Sequence, residues 1–519
     1  MGFRQHEVQV FVGIMLVVAA VPATDQSPCL DCGVAGDDEV AFLQMQGVMT
    51  HGSGEMHSNQ IDHMDRPPKF ALALAAKEAA SKKTAGGAES MAVQYVAAFA
   101  PYFNYQGDLK VQGSIAVEGT GLIETATQTL SWQLEGLDPR CNESNEGVSN
   151  ACGIHIHQGT SCYEDAGGHY WNTTLIDSDP WATVTYQTRK NESAWAVGVE
   201  VVTGLTNFEV LGRAMIVHDF TGARIACGII IPEKLAVPAF TPYFSYTGSL
   251  EVEGAMDVTG MGVTDDAGQI LSWSLKGLDP NCSSGANSEY SNSCGIHIHA
   301  GTDCTSDALG HYWNQTTYSA DDPWSMISYT SKKGKGKSRE KQVPVVTGLE
   351  NTFVNGHAMI VHSYIGGRIA CGIISPSSEV ANAFVKYYTY TGDLEVSGWV
   401  KVVGTGVLED ASQELSWRLA GVDPACETAP GTGANANACG IHIHVGMDCT
   451  SDAGGHYYAV DTDPWTALKY TTTPRGHAKA KEQKVDTGLT NYDVLGHTMI
   501  VHDSTGARIA CGILNIASD

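Results

Sequence analysis

Three short stretches carry the residues best suited to chemistry: Cys152-Gly-Ile-His-Ile-His157, Cys294-Gly-Ile-His-Ile-His299 and Cys439-Gly-Ile-His-Ile-His444. Side chains alternate faces along a β-strand, so the two isoleucines of each stretch turn towards a core while the two histidines share the opposite face. Two imidazoles on one face are half of a metal site, because a bound ion needs three or four convergent ligands. Of 19 histidines, twelve recur at fixed positions, four in each of three units. They are His155, His157, His169 and His218; His297, His299, His311 and His362; His442, His444, His456 and His502. Four neutral nitrogens about one ion suit Cu(II), and less distinctively Zn(II) or Ni(II). His357 and His497 stand five residues before the last of these in their units, where the first unit has Arg213, and are not expected to be ligands.

The elements that must position these residues repeat from Val93 onward with a period of about 140 residues, the size of a domain and not of a solenoid repeat. Each unit opens on an aromatic strand: Tyr102-Phe103-Asn104-Tyr105, Tyr243-Phe244-Ser245-Tyr246 and Tyr387-Tyr388-Thr389-Tyr390. A Leu-Ser-Trp-x-Leu strand follows (Trp132, Trp273, Trp417), then a Gly-x-Asp-Pro turn, a Cys and the His-x-His strand. Beyond it come Gly-x-x-Cys, a Gly-His-Tyr and an Asp-Pro-Trp at Asp179, Asp322 and Asp463. Each unit ends on Met-Ile-Val-His, a five-residue turn and Arg-Ile-Ala-Cys-Gly-Ile, with Arg224, Arg368 and Arg508. Short strands with frequent turn signals predict an all-β chain of three tandem Greek-key barrels or sandwiches, at 93–234, 235–377 and 378–519.

One connection differs between units. Arg189 and Lys190 in the first become Ser331-Lys-Lys-Gly-Lys-Gly-Lys-Ser-Arg-Glu-Lys341 in the second and Pro474-Arg-Gly-His-Ala-Lys-Ala-Lys481 in the third. Such charge runs are read as solvated hairpin tips, with local attraction of anions as the sharper reading.

There are 14 cysteines, two near the N-terminus and four in each unit. No Cys-x-x-Cys occurs inside a unit, so the even count implies two disulfides per unit, with three connectivities open.

At 519 residues the chain is too long for one core, and its net charge of −27 argues against nucleic acid and anionic membrane surfaces as partners. Arg4, an apolar run from Val8 to Val21 and the small residues of Val21-Pro-Ala23 predict a cleaved secretory signal over 1–23. The run is short for a bilayer span and no later segment is apolar enough, so no stable membrane insertion is expected. His6 stands where a myristoylation signal needs Ser or Thr. Residues 24–92 hold Cys29 and Cys32, expected to form a local disulfide, and an Ala/Lys-rich stretch from Lys69 to Lys83. They also hold a patch of Met45, Met49, His51, Met56, His57, His63 and Met64, suited to copper. Their composition reads as a low-order, polar linker. Sequons at Asn142, Asn172, Asn191, Asn281 and Asn314 are compatible with export and glycosylation.

Each unit resembles the copper/zinc superoxide dismutase family. That family's Gly-Phe-His-Val-His, Ala-Gly-Pro-His-Phe-Asn-Pro and Val-Val-His followed by Arg-Leu-Ala-Cys-Gly-Val-Ile become counterparts here. They are Gly-Ile-His-Ile-His157, Ala166-Gly-Gly-His-Tyr-Trp-Asn172 and Ile-Val-His218 with Arg224-Ile-Ala-Cys227-Gly-Ile. The resemblance covers residues 93 to 519 in three copies. It implies the disulfides Cys162 to Cys227, Cys304 to Cys371 and Cys449 to Cys511, leaving Cys141 with Cys152, Cys282 with Cys294 and Cys426 with Cys439. It implies one copper per unit on the twelve histidines, superoxide as substrate, His169, His311 and His456 as proton donors, and Arg224, Arg368 and Arg508 as residues that draw in the anion.

Two departures narrow the resemblance to the copper-only members. No His lies between Trp171 and Tyr186 or in the matching stretches, so zinc is not expected, and only five residues separate His218 from Arg224 where the family has a long charged loop. Without zinc the outer nitrogen of His169 needs a partner, for which Asp179, Asp322 and Asp463 are candidates, unless they only cap a turn before proline. The function implied is secreted, copper-dependent dismutation of superoxide, in the extracellular space or at the cell surface. The alternative is an extracellular copper-binding or buffering protein with the same ligands; a purely structural module would not keep four histidines in all three units. Oligomeric state is left open.

Overall fold

A computed structural model of the chain describes residues 92–517, apart from 144, 146, 190, 317–320, 333–334 and 429–434. The expected signal sequence, the Cys29 to Cys32 bridge, the Met/His patch and the Ala/Lys stretch lie outside the described residues. No helix among the described residues is long and apolar enough to cross a membrane.

The described residues are all-β, with six antiparallel sheets, two in each repeat. In the first unit the strands are β1 (Ala92–Val96), β2 (Ala100–Pro101), β3 (Gln112–Thr120), β4 (Thr127–Glu135), β5 (Ile154–His157), β6 (Ala194–Val202), β7 (Ala214–His218) and β8 (Arg224–Ile229). One sheet runs in the order β1, β3, β4, β6 and the other β2, β8, β7, β5. Alternation makes the sandwich. Ile115 and Val117 of β3 and Leu130, Trp132 and Leu134 of β4 point inward against Ile154, Ile156, Met215 and Val217 of β5 and β7, in one buried cluster. The second and third units repeat both sheets, and each adds a fifth short strand to the first of them, Ser375–Pro376 and Asn515–Ile516.

The basic runs extend beyond a hairpin tip. They continue into Ser338–Val346 and His477–Val485, which are edge strands with Arg339, Lys341, Lys479 and Lys481 exposed. Charge on an edge strand discourages pairing with another chain. In the first unit the matching β6 instead exposes Trp195 and Val197.

Among the described residues, six disulfides join Cys141 to Cys152, Cys162 to Cys227, Cys282 to Cys294, Cys304 to Cys371, Cys426 to Cys439 and Cys449 to Cys511. In each unit the shorter bridge ties the turn after β4, or its counterpart, to the residues just before the His-x-His strand. The longer one pins the loop after that strand to β8 or its counterpart.

The units contact one another in a cycle. Val263 of the second packs on Tyr102, Cys162 and Cys227 of the first, and Val407 of the third packs on Tyr243, Cys304 and Cys371 of the second. Leu122 of the first packs on Tyr387, Cys449 and Cys511 of the third. The last contact joins the two ends of the repeat array, where Ala92 bridges to Ala517 and the Phe208 N–H donates to Asn515 Oδ1 at 2.8 Å.

Candidate metal centres

Strand β5 delivers His155 and His157 to the face of the second sheet that turns away from the core, and β7, paired with it, delivers His218. His169 arrives from the loop that leaves β5 and doubles back to bridge His157. The four rings close on one point: His169 lies 4.4 Å from His155 and 5.0 Å from His157, and His218 lies 5.0 Å from His155, centroid to centroid. One nitrogen from each lies within 4.8 Å of the others, and the same holds for His297, His299, His311 and His362 and for His442, His444, His456 and His502.

Hydrogen bonds fix which nitrogen faces inward. His155 Nε2 meets the Val184 carbonyl at 3.1 Å, and His157 Nδ1 and His218 Nδ1 meet the carbonyls of Gly167 and Gly222, each at 3.0 Å. A carbonyl accepts only, so each of these nitrogens carries the proton and the other keeps a lone pair. Those other atoms, His155 Nδ1 and Nε2 of His157, His169 and His218, are buried with no hydrogen-bond partner, as are their counterparts in the other units. A buried, unpartnered polar atom is costly, and four of them converging on one point in each of three units, twelve atoms in all, make a donor set that fits a metal ion of imidazole preference.

His169 Nδ1 is held by Asp179 Oδ2 at 2.6 Å, with Asp322 on His311 at 2.5 Å and Asp463 on His456 at 2.7 Å. The same aspartates cap the turn that follows: Asp179 Oδ1 accepts from the Trp181 N–H at 2.9 Å. The two readings of Asp-Pro-Trp are therefore both satisfied, one by each carboxylate oxygen. The tryptophan it introduces is fully buried, donates from Nε1 to the Tyr170 carbonyl at 2.8 Å and packs 6.3 Å from the His155 ring.

Burial, reinforced by neighbouring imidazoles, pushes His155 and His297 down to about 2 and holds His442 far below its ordinary value. Burial likewise takes His157, His299 and His444 to about 3 and His218, His362 and His502 to about 4. All nine are neutral at neutral pH, the form that binds a metal.

Arg224 reaches the same place from β8. Its Nη1 donates to the Tyr102 hydroxyl and to Asp165 Oδ1, each at 2.6 Å, and its Nη2 to the Gly167 carbonyl at 2.5 Å. Its charge bears on His157, and in the second unit Arg368 lines one cleft of about 860 Å³ together with His297, His299, His311 and Trp313.

Sequence reasoning named all twelve histidines, the arginines and the three aspartates, and the structure brings each set together. His357 and His497 stand outside the clusters, stacked on Tyr312 at 4.0 Å and Tyr457 at 4.1 Å, while Arg213 lies 4.2 Å over Tyr170. It missed Tyr102 and Asp165, and with them Tyr243, Asp307, Tyr387 and Asp452. The signal was there, since an Asp-Ala pair recurs after the Gly-x-x-Cys of every unit. No protein-family model matches the chain, and no curated protein matches it.

Proposed function

We propose that the chain is an exported, three-domain protein of the copper-only superoxide dismutase type, holding one copper in each four-histidine centre. The carrying observation is the convergence of four unpartnered imidazole nitrogens beside a held arginine, three times over. Bound copper would supply one-electron redox chemistry between its two oxidation states, for the net conversion of two superoxide anions and two protons to oxygen and hydrogen peroxide.

The chain's own residues would do the rest. Arg224, Arg368 and Arg508 orient the anion by Coulomb attraction acting within about 8–10 Å, against the unfavourable net charge. His169, His311 and His456 hold a proton at the nitrogen that would otherwise face the metal and give it to the departing product. Asp179, Asp322 and Asp463 fix those rings through Nδ1, which is thereby taken up by a carboxylate. Six disulfides are typical of extracellular proteins and support export.

The test is metal analysis of the purified chain alongside direct superoxide decay. Three copper ions per chain, with catalysis lost stepwise on His155→Ala, His297→Ala and His442→Ala, are expected. Full copper loading with no rate above spontaneous dismutation would overturn the reading and leave copper buffering.

A further inference from the structure

The arginine beside each centre is not a free cation. In all three units the guanidinium meets a tyrosine hydroxyl, a main-chain carbonyl and a carboxylate: Arg224 with Asp165 at 2.6 Å, Arg368 with Asp307 at 2.5 Å, Arg508 with Asp452 at 2.6 Å. The tyrosine and the carbonyl already give each terminal nitrogen of the guanidinium an acceptor. Tyr102, Tyr243 and Tyr387 each accept from Nη1 at 2.6 Å, and Gly167, Leu309 and Gly454 accept from Nη2. The carboxylates are mostly exposed, with side chains 70%, 63% and 66% accessible, and exposed ion pairs contribute little stability. Neither geometry nor stability calls for a full negative charge, yet the chain puts one there three times.

We infer that Asp165, Asp307 and Asp452 are positioning residues that attenuate the charge of the neighbouring arginine and so set how tightly each centre holds anions. A guanidinium paired with a carboxylate acts on an incoming anion as a short-range dipole. It therefore guides a small monoanion that comes close and holds a bulkier or doubly charged oxyanion such as phosphate poorly. The inference rests on the copper reading above.

The geometry supplies a clean test. Every contact of each carboxylate goes to Oδ1, which in Asp165 accepts from Arg224, from the Tyr102 hydroxyl at 2.9 Å and from the Gly167 N–H at 3.0 Å. Asp307 and Asp452 repeat this. Asparagine keeps that oxygen and removes only the charge. In the copper-loaded full chain, the triple variant Asp165→Asn/Asp307→Asn/Asp452→Asn is expected to bind azide, read by its absorption band, about three- to tenfold more tightly at low ionic strength. That is the Coulomb work of one charge at roughly 6 Å in an effective dielectric of about 40 to 80. Inorganic phosphate, competing with azide, should gain more, because the work scales with ligand charge, and both gains should shrink in 0.5 M salt with a Debye length of about 4 Å. Unchanged or weakened azide binding, or a gain indifferent to salt, overturns the inference. Failure to bind copper overturns the functional reading and this inference with it, whereas copper-loaded protein that shows the azide effect without dismutation overturns only the former.

Discussion

Gly153 explains why the motif reads Cys-Gly-Ile-His and not Cys-x-Ile-His. A Cβ there would lie 2.3 Å from His155 Cε1 and 2.5 Å from Nε2, so the imidazole lies directly over the place a side chain would occupy. Gly295 and Gly440 stand against His297 and His442 in the same way. Gly153→Ala should therefore push His155 off its inward position and cost the first unit its metal, taking copper from three to two per chain by metal analysis; three retained would refute this. Asp179→Ala should weaken copper in the same unit about 10- to 100-fold, because the Nδ1 proton of His169 loses its acceptor, while Asp179→Asn should restore the turn cap without the charge. Competition with a chelator, unit by unit, reads the difference. At this scale the histidines, cysteines and arginines were legible because recurrence at fixed spacing distinguishes a ligand from a scattered polar residue. The tautomers were not, since they are set by carbonyls of Val184, Gly167 and Gly222 that no side-chain type announces.

The strands were legible from alternation: Gln128, Leu130, Trp132 and Leu134 fall on one buried face of β4, with Thr129 and Ser131 on the other. What alternation does not reveal is which loops roof the outer face of the second sheet, because that depends on the disulfides. The longer bridge spans 65 residues from Cys162 to Cys227 and the shorter spans 11 from Cys141 to Cys152. Loop-closure entropy predicts that Cys162→Ser/Cys227→Ser costs about 4 kcal/mol and Cys141→Ser/Cys152→Ser about 3 kcal/mol. The two pairs should also differ in kind. The loop that begins at Cys162 carries Asp165, Gly167 and His169, so loss of the longer bridge should weaken copper in the first unit as well as stability. Denaturant unfolding and copper titration of both variants check this; equal loss of copper affinity from the two would argue that the longer bridge does not position the loop.

Two properties belong to the whole repeat array. Nine buried imidazoles are neutral in the folded chain with values pushed below the ordinary 6.5, so once pH falls below about 6.5 the unfolded chain takes up protons that the folded chain does not. Stability then rises with pH in this window, and the metal-free protein should lose it on acidification below about 6.5. The slope approaches about 1.4 kcal/mol per pH unit for each imidazole protonated only when unfolded. On the proposed reading, copper bound to the folded state would move the decline to lower pH in thermal unfolding. The second property is the contact cycle, which repeats in the sequence do not foretell, because a linear array of three sandwiches would share the same motifs. Leu122 decides between them. It is 4% exposed, yet it packs with Tyr387, Ile500, Cys511 and Ile513 of the third unit and not with the core of its own. In a linear array it would be a solvent-exposed residue whose replacement changes nothing; in a closed cycle Leu122→Ala should cost about 2 to 3 kcal/mol and Leu122→Glu more, since a charge would be buried against the third unit's disulfide. Val263→Glu, at the contact between the first and second units, serves as the matched control. An unfolding midpoint unmoved by Leu122→Glu but lowered by Val263→Glu would mean that the first and third units do not hold each other in solution.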